Sequence, residues 1–263
     1  MYEEHFGLQS RPFGASAAFL PLPSRDSVLL RLRYGLEQGQ GPTLLYGLPG
    51  VGKTRLAVEL ARRMGCRTVH LTFPALPPAE LLEWFADELE APRDAGSNGM
   101  AANVRRIARV LTSTTARGGR TLLMVDEAHL VADPATWESL RLLLNFPQWP
   151  PALGLLLIGG PELPLDLPPS LEGRLAARAL LKPLIGAETA AYVTARLVAS
   201  GGPPDLFEAG HWTPSSGSAE ESLAGSTTWQ TSVCSSPMPR ERSVSAEAVD
   251  AAARELAPGP MAA

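Results

Sequence analysis

The chain has 263 residues, 45% hydrophobic and 19% charged, enough to bury a core for one large domain or two small ones. A formal charge of −4 argues against bulk electrostatic coating of nucleic acid, and two cysteines, Cys66 and Cys234, exclude a disulfide framework and a four-ligand zinc site. No apolar run approaches the ~20 residues of a membrane span, so the expected setting is reducing and cytoplasmic, with any inner-membrane association through a partner.

In chain order, Val28, Leu29, Leu32 and Leu36 recur at helical spacing and predict a helix over Asp26–Gln38. Five short apolar runs follow: Thr43–Tyr46, Arg67–Phe73, Thr121–Val125, Leu153–Ile158 and Ala179–Leu184. Their length and composition fit strands buried on both faces of a parallel sheet. Helical patterns over Lys53–Met64, Ala79–Leu89, Ala102–Thr115 and Pro134–Leu144 separate them, which predicts an α/β layered fold with right-handed crossovers. A further helix is expected over Glu188–Ser200, stopped by the Gly201-Gly202-Pro203-Pro204 run. From His211 to Ser236, 12 of 26 residues are Ser or Thr without a regular period, and helical pattern resumes at Ser245–Leu256. These shifts place a core at 1–185 and a second, partly helical region at 186–263, with an irregular segment at 211–243.

Gly47-Leu48-Pro49-Gly50-Val51-Gly52-Lys53-Thr54 fits G-x-x-x-x-G-K-[ST] and joins a buried strand to an amphipathic helix, the context that this phosphate loop requires. Its glycines let backbone N–H groups curl round a phosphate, and the helix N-terminus adds partial positive charge. Lys53 is then expected on the β- and γ-phosphates of ATP, with the Thr54 hydroxyl on Mg²⁺. Of 23 basic residues only Lys53 and Lys182 are lysine. A chain that favours arginine nearly everywhere keeps a compact ammonium at the one position where a rigid guanidinium fork does not fit.

The run Thr121-Leu122-Leu123-Met124-Val125 ends in Asp126-Glu127. Asp126 is expected to join Thr54 as a Mg²⁺ ligand, and Glu127 to orient and deprotonate the attacking water. A separate strand between the two motifs points to an NTPase whose metal-binding acid lies on a strand not adjacent to the phosphate loop. His129 reads as a loop residue, and His70 and His211 have no metal-ligand spacing.

Leu153–Ile158 ends in Gly159-Gly160-Pro161-Glu162-Leu163, and Arg174 and Arg178 precede the run expected to form the last strand. The opening Tyr2, Phe6-Gly7-Leu8, Pro12-Phe13 belongs to the same set as Tyr34-Gly35-Leu36-Glu37 and Leu140-Arg141-Leu142-Leu143-Leu144-Asn145-Phe146. Gly160-Pro161-Glu162-Leu163 and Pro183-Leu184 with Glu188-Thr189-Ala190-Ala191-Tyr192 complete it. On these residues, from Met1 to about Leu206, the chain resembles the ExeA/GspA-like AAA+ ATPases of the type II (general) secretion pathway and their relatives in pilus assembly. The resemblance implies a P-loop NTPase of AAA+ type with a five-stranded parallel sheet between helices. It also implies Mg²⁺-dependent ATP hydrolysis, a homo-oligomer, and a protein partner remodelled in secretion or pilus assembly. Arg174 becomes the expected finger reaching a neighbouring subunit's nucleotide. Similar ATPases serve as DNA-binding transposition helpers, and a nucleotide-dependent switch with little turnover is the reading from another class. The family has Gln where this chain has Gly160, which leaves the γ-phosphate sensor unassigned.

The family's lid carries an S-G-G-x-P-R-x-I-N segment that is missing after Leu206-Phe207. Some of the codons compatible with Ala219 to Thr227, read from their third bases, can encode S-G-G-I-P-R-R-I-N. Two compensating indels, near Gly210 and near Arg240–Ser243, would account for the Ser/Thr-rich block, and the coding DNA decides between them and a genuine insert.

Overall fold

The computed structural model describes residues 7–13, 18–38, 41–93, 95–96, 98–146 and 152–204. The elements in order are α1 (Pro23–Gln38), β1 (Thr43–Tyr46), α2 (Lys53–Met64), β2 (Arg67–Leu71), α3 (Pro78–Glu88), α4 (Met100–Ala116) and β3 (Thr121–Val125). A 3₁₀ turn at Ala128–Leu130 leads to α5 (Pro134–Leu143) and β4 (Leu153–Gly159). Two single-turn helices, α6 (Leu163–Asp166) and α7 (Pro169–Glu172), precede β5 (Ala177–Leu180) and α8 (Gly186–Ala199).

The chain divides into two compact units. One comprises Arg25–Gly47 and Gly52–Leu181 and holds the whole sheet. All four strand pairs are parallel, in the order β2-β3-β4-β1-β5. Register aligns Leu71, Val125, Leu157 and Leu44 on one face, and all four are in the core with Phe85 of α3, Ile107 and Leu111 of α4, and Trp137 and Leu140 of α5. The opposite face meets α1, where the Leu36 side chain lies over Gly154, 3.3 Å from where a Cβ would stand. Apolar residues on both faces of a strand therefore follow from helices on both sides.

The other unit contains Met1–Ser24, Leu48–Val51 and the chain from Lys182 onward. Within it, Gln9 N–H donates to the Ser200 carbonyl at 2.7 Å and Ser24 N–H to Glu188 Oε1 at 2.9 Å. The Phe13 ring lies 6.4 Å from that of Tyr192, and the Arg196 guanidinium stands 4.9 Å above Tyr192. Phe13 of the opening motif and Tyr192 of the Glu188–Tyr192 motif thus meet within this unit.

Two strands depart from the sequence reading by more than one residue. β5 spans Ala177–Leu180 rather than Ala179–Leu184, because pairing with Thr43–Tyr46 fixes its start and Pro183 brings no N–H to a longer ladder. Arg178 consequently lies inside β5, opposite Leu44, and does not precede the strand. β2 ends at Leu71 rather than Phe73, whose side chain is exposed beside Pro74. The Ser/Thr-rich segment and the helix expected at Ser245–Leu256 lie outside the described residues. Among those described, no helix is long and apolar enough to cross a membrane.

Candidate functional site

The C-terminal ends of β1, β3 and β4 carry the residues singled out by the sequence. Gly47 leaves β1 with φ 154°, and a Cβ there would stand 2.4 Å from the Leu181 carbonyl oxygen, so only glycine fits. The loop continues through Leu48, Pro49, Gly50 and Val51 to Gly52, with Gly50 at φ 76° and Gly52 at φ 91°. A Cβ at Gly52 would meet no atom within 4 Å, so this backbone faces open space. Gly52 caps α2 without a side-chain hydrogen bond, which leaves first-turn N–H donors for an anion.

Lys53, the first residue of α2, is buried and donates from Nζ to the Gly47 carbonyl at 2.9 Å. Burial lowers its pKa from the usual lysine value, while the charges of Glu127, Asp126 and Glu162 oppose that shift. Thr54 Oγ1 donates to Asp126 Oδ2 at 2.8 Å, across 72 positions of sequence. Asp126 is buried, which pushes its carboxyl up, yet hydrogen bonds from His70, Thr54 and the Glu127 N–H hold it below the usual aspartate value. The Glu127 N–H donates to Asp126 Oδ1 at 3.0 Å, and Glu127 itself adopts φ 47°, a left-handed conformation that costs a non-glycine residue about 1 kcal/mol or more. Its side chain is half exposed.

Residues 36–165 match the family model for the AAA domain. No curated protein matches the chain in sequence. Among solved structures, the ORC2 protein of Aeropyrum pernix in its ADPNP–ADP complexes is similar with a TM-score of 0.64 at 16% identity, over 94% of this chain and 72% of that one. The Aeropyrum pernix ORC1 protein in complex with DNA gives 0.59 at 18% identity, over 93% and 68%. Cdc6p from Pyrobaculum aerophilum gives 0.55 at 19% identity over 75% of this chain, which spans 55% of that protein's length. The chain has the AAA+ P-loop NTPase fold. This likeness is one of fold, at 16–19% identity.

In the AAA+ fold of this chain β4 lies between β1 and β3, as expected of an acid on a non-adjacent strand. Thr54 and Asp126 present two oxygens side by side, and among the described residues no cluster of three or more His, Cys, Asp or Glu forms a metal cage. That donor set fits Mg²⁺, which takes one or two protein oxygens and completes its shell with phosphate oxygens and water.

Arg174 is exposed and donates from Nη1 to Asn145 Oδ1 at 2.9 Å; Arg178 donates to Glu172 Oε1 at 2.9 Å. Neither is brought to Lys53 by any of these bonds. Three residues near the AAA+ site escaped the sequence reading. His70 Nε2 lies 3.3 Å from Asp126 Oδ2, His129 Nδ1 lies 3.5 Å from Glu127 Oε2, and Glu162 acts on Lys53 by charge. His70 is recognisable only once the strand order is known. It stands one residue before the end of a strand that pairs with β3, so it reaches the sheet edge that carries Asp126.

Proposed function

We propose that this AAA+ chain binds ATP with Mg²⁺, hydrolyses it, and couples the cycle as an oligomer to remodelling a protein partner, in secretion or pilus assembly as its sequence resemblance implies. In this reading Gly47 to Thr54 wrap the phosphates, with backbone N–H groups of Gly50, Val51 and Gly52 as donors and Leu48 and Pro49 shaping the turn. Lys53 neutralises charge on the β- and γ-phosphates. Thr54 and Asp126 hold Mg²⁺, which supplies charge neutralisation of the phosphate oxygens when bound. Glu127 takes a proton from the attacking water. Arg174, exposed at the surface, is the finger offered to a neighbouring copy, and residues 186–263 are the lid region.

The observation that carries this reading is the 2.8 Å bond joining Thr54 to Asp126. It places a hydroxyl at the start of α2 against the acid that closes β3, beside Lys53 and Glu127. DNA as the partner is the second reading, favoured by the similarity to an ORC1 protein solved with DNA.

Steady-state turnover of the purified chain tests the enzyme. Glu127→Gln is expected to cut kcat by about 100-fold or more, the usual contribution of a positioned base, while ATP still binds. Equal and negligible rates in both proteins would reject hydrolysis in favour of a nucleotide switch. Affinity for duplex DNA that falls steeply with salt would favour the second partner class.

A further inference from the structure

Near the site one buried polar atom has no hydrogen-bond partner among the described residues: Nδ1 of His129, in the 3₁₀ turn that follows Glu127. Its nearest charged neighbours are Glu127 Oε2 at 3.5 Å and Glu162 Oε1 at 4.0 Å. An ionised carboxylate only accepts, so the tautomer that suits this nitrogen carries the proton on Nδ1. One N–H then faces two acceptors and serves one at a time.

The end of β4 makes room for this arrangement. A Cβ at Gly160 would fall 1.9 Å from Glu162 Oε1 and 2.4 Å from its Cδ, so the Glu162 carboxylate occupies the volume that any side chain at position 160 would take. A Cβ at Gly159 would crowd His129 Nδ1 at 3.3 Å and Leu163 Cδ2 at 2.6 Å. Gly160 does not have a positive φ, and the atoms that would yield are the end of a flexible side chain. Position 160 therefore accepts a side chain at the cost of displacing Glu162. Glu162 also reaches the site by charge, since it is one of three carboxylates acting on Lys53.

We propose that His129 holds Glu127 in an idle position through its Nδ1–H, and that Glu162, competing for the same N–H across Gly160, releases Glu127 for the attacking water. His129 and Glu162 are positioning residues in this scheme, and the proposal rests on the hydrolytic reading above. Glu127 is disposed to move: its backbone is held in the left-handed region and its side chain is half exposed. Nothing in the sequence spacing reveals the pair, because Glu162 follows a different strand from Glu127.

The test compares wild type with Glu162→Ala, Gly160→Ala, His129→Ala and the His129→Ala/Glu162→Ala double variant, measuring kcat and ATP affinity separately. Glu162→Ala and Gly160→Ala are expected to lower kcat by about tenfold, the ratio set by one charge-assisted hydrogen bond; Glu162→Ala also removes a negative charge that acts on Lys53, so kcat is read at saturating ATP. His129→Ala turns over faster than wild type, and the double variant matches His129→Ala, because the group that holds Glu127 is gone. A Glu162→Ala loss that persists undiminished without His129, or a His129→Ala enzyme slower than wild type, overturns the proposal.

A second measurement needs no turnover. The chain has four histidines, so ¹⁵N spectra of the nucleotide-free protein assign His129 by its loss in His129→Ala. The proposal expects a protonated Nδ1 whose resonance moves in both Glu162→Ala and Glu127→Ala. A bare Nδ1, or one indifferent to Glu162, contradicts it. If wild type hydrolyses no ATP, the hydrolytic reading fails on its own, and the spectra still decide whether the two carboxylates share this N–H.

Discussion

Lys53 and Arg106 are both nearly withdrawn from solvent, at 8% and 4% exposure, yet their surroundings are built in opposite ways. The Arg106 guanidinium donates to the Ala91 carbonyl at 3.1 and 2.7 Å, to Asn103 Oδ1 at 2.8 Å and to Asp87 Oδ1 at 2.6 Å. It ties α4 to the end of α3 and the turn beyond, and Arg93 grips the same Asp87 at 2.5 Å. Hydrogen bonds from Arg93 and then Arg106 hold the Asp87 carboxyl below the usual aspartate value. Lys53 donates to a carbonyl of its own loop and stands among the charges of Asp126, Glu127 and Glu162. The first cation is spent on packing. The second lies where carboxylates outnumber it, so a polyphosphate bound there would add to a local excess of negative charge that a divalent cation would offset. A buried charge is thus read by what surrounds it rather than by its burial.

If that contrast is right, Arg106→Met shows the largest loss of stability. The Ala91 carbonyl and the Asn103 amide lose their donor inside the fold, at about 1 kcal/mol or more for each bond left unmade, or about 3 kcal/mol in all. Thermal or urea unfolding measures it, and the folded fraction is expected to keep its nucleotide affinity. Gly47→Ala comes next and should touch both properties. Its Cβ would press on the Leu181 carbonyl at 2.4 Å in a backbone region that glycine alone favours, costing about 2 kcal/mol and displacing the Lys53 acceptor. An unfolding midpoint equal to wild type together with intact binding would break the account of this loop.

The smallest expected effect concerns pH, at Glu59 on α2. Hydrogen bonds from Arg62 first, and from Arg63, hold its carboxyl at about 2 against an ordinary 4.5. With the folded value depressed, the stabilisation is complete above pH 4.5 and is lost as pH falls toward 2. Urea midpoints at pH 7 and pH 3 should converge in Glu59→Gln relative to wild type. Both guanidinium groups reach solvent, so the change is smaller than for Arg106 or Gly47.

The order of these effects does not follow what was legible in the sequence. The phosphate octet, the Asp126-Glu127 strand end and α2, found at its expected Lys53–Met64 bounds, are local patterns with fixed spacing. The five-stranded parallel sheet followed from short apolar runs alternating with helices. β5 starts two residues before its expected position because its start is set by pairing with β1, which composition does not report. α1 begins at Pro23, ahead of its apolar stripe, because proline is at home in a first helical turn. Arg106 read as one arginine among many, since its acceptors Ala91 and Asp87 lie 15 and 19 residues away. His70, 56 residues from Asp126, and Glu162, on a third strand's loop, were invisible for the same reason. Long-range partners are fixed by topology, and the sequence displays them only once strand order is known.

The central claim is that Lys53 marks a nucleotide site and Arg106 does not. The most direct measurement is a calorimetric titration of ATP, with and without Mg²⁺, onto wild type, Lys53→Ala and Arg106→Met. The account predicts binding to wild type that weakens when the metal is chelated, loss of at least about tenfold in affinity for Lys53→Ala with its fold retained, and binding by folded Arg106→Met. Equal affinity in wild type and Lys53→Ala, or no binding to wild type in the presence of Mg²⁺, would contradict it.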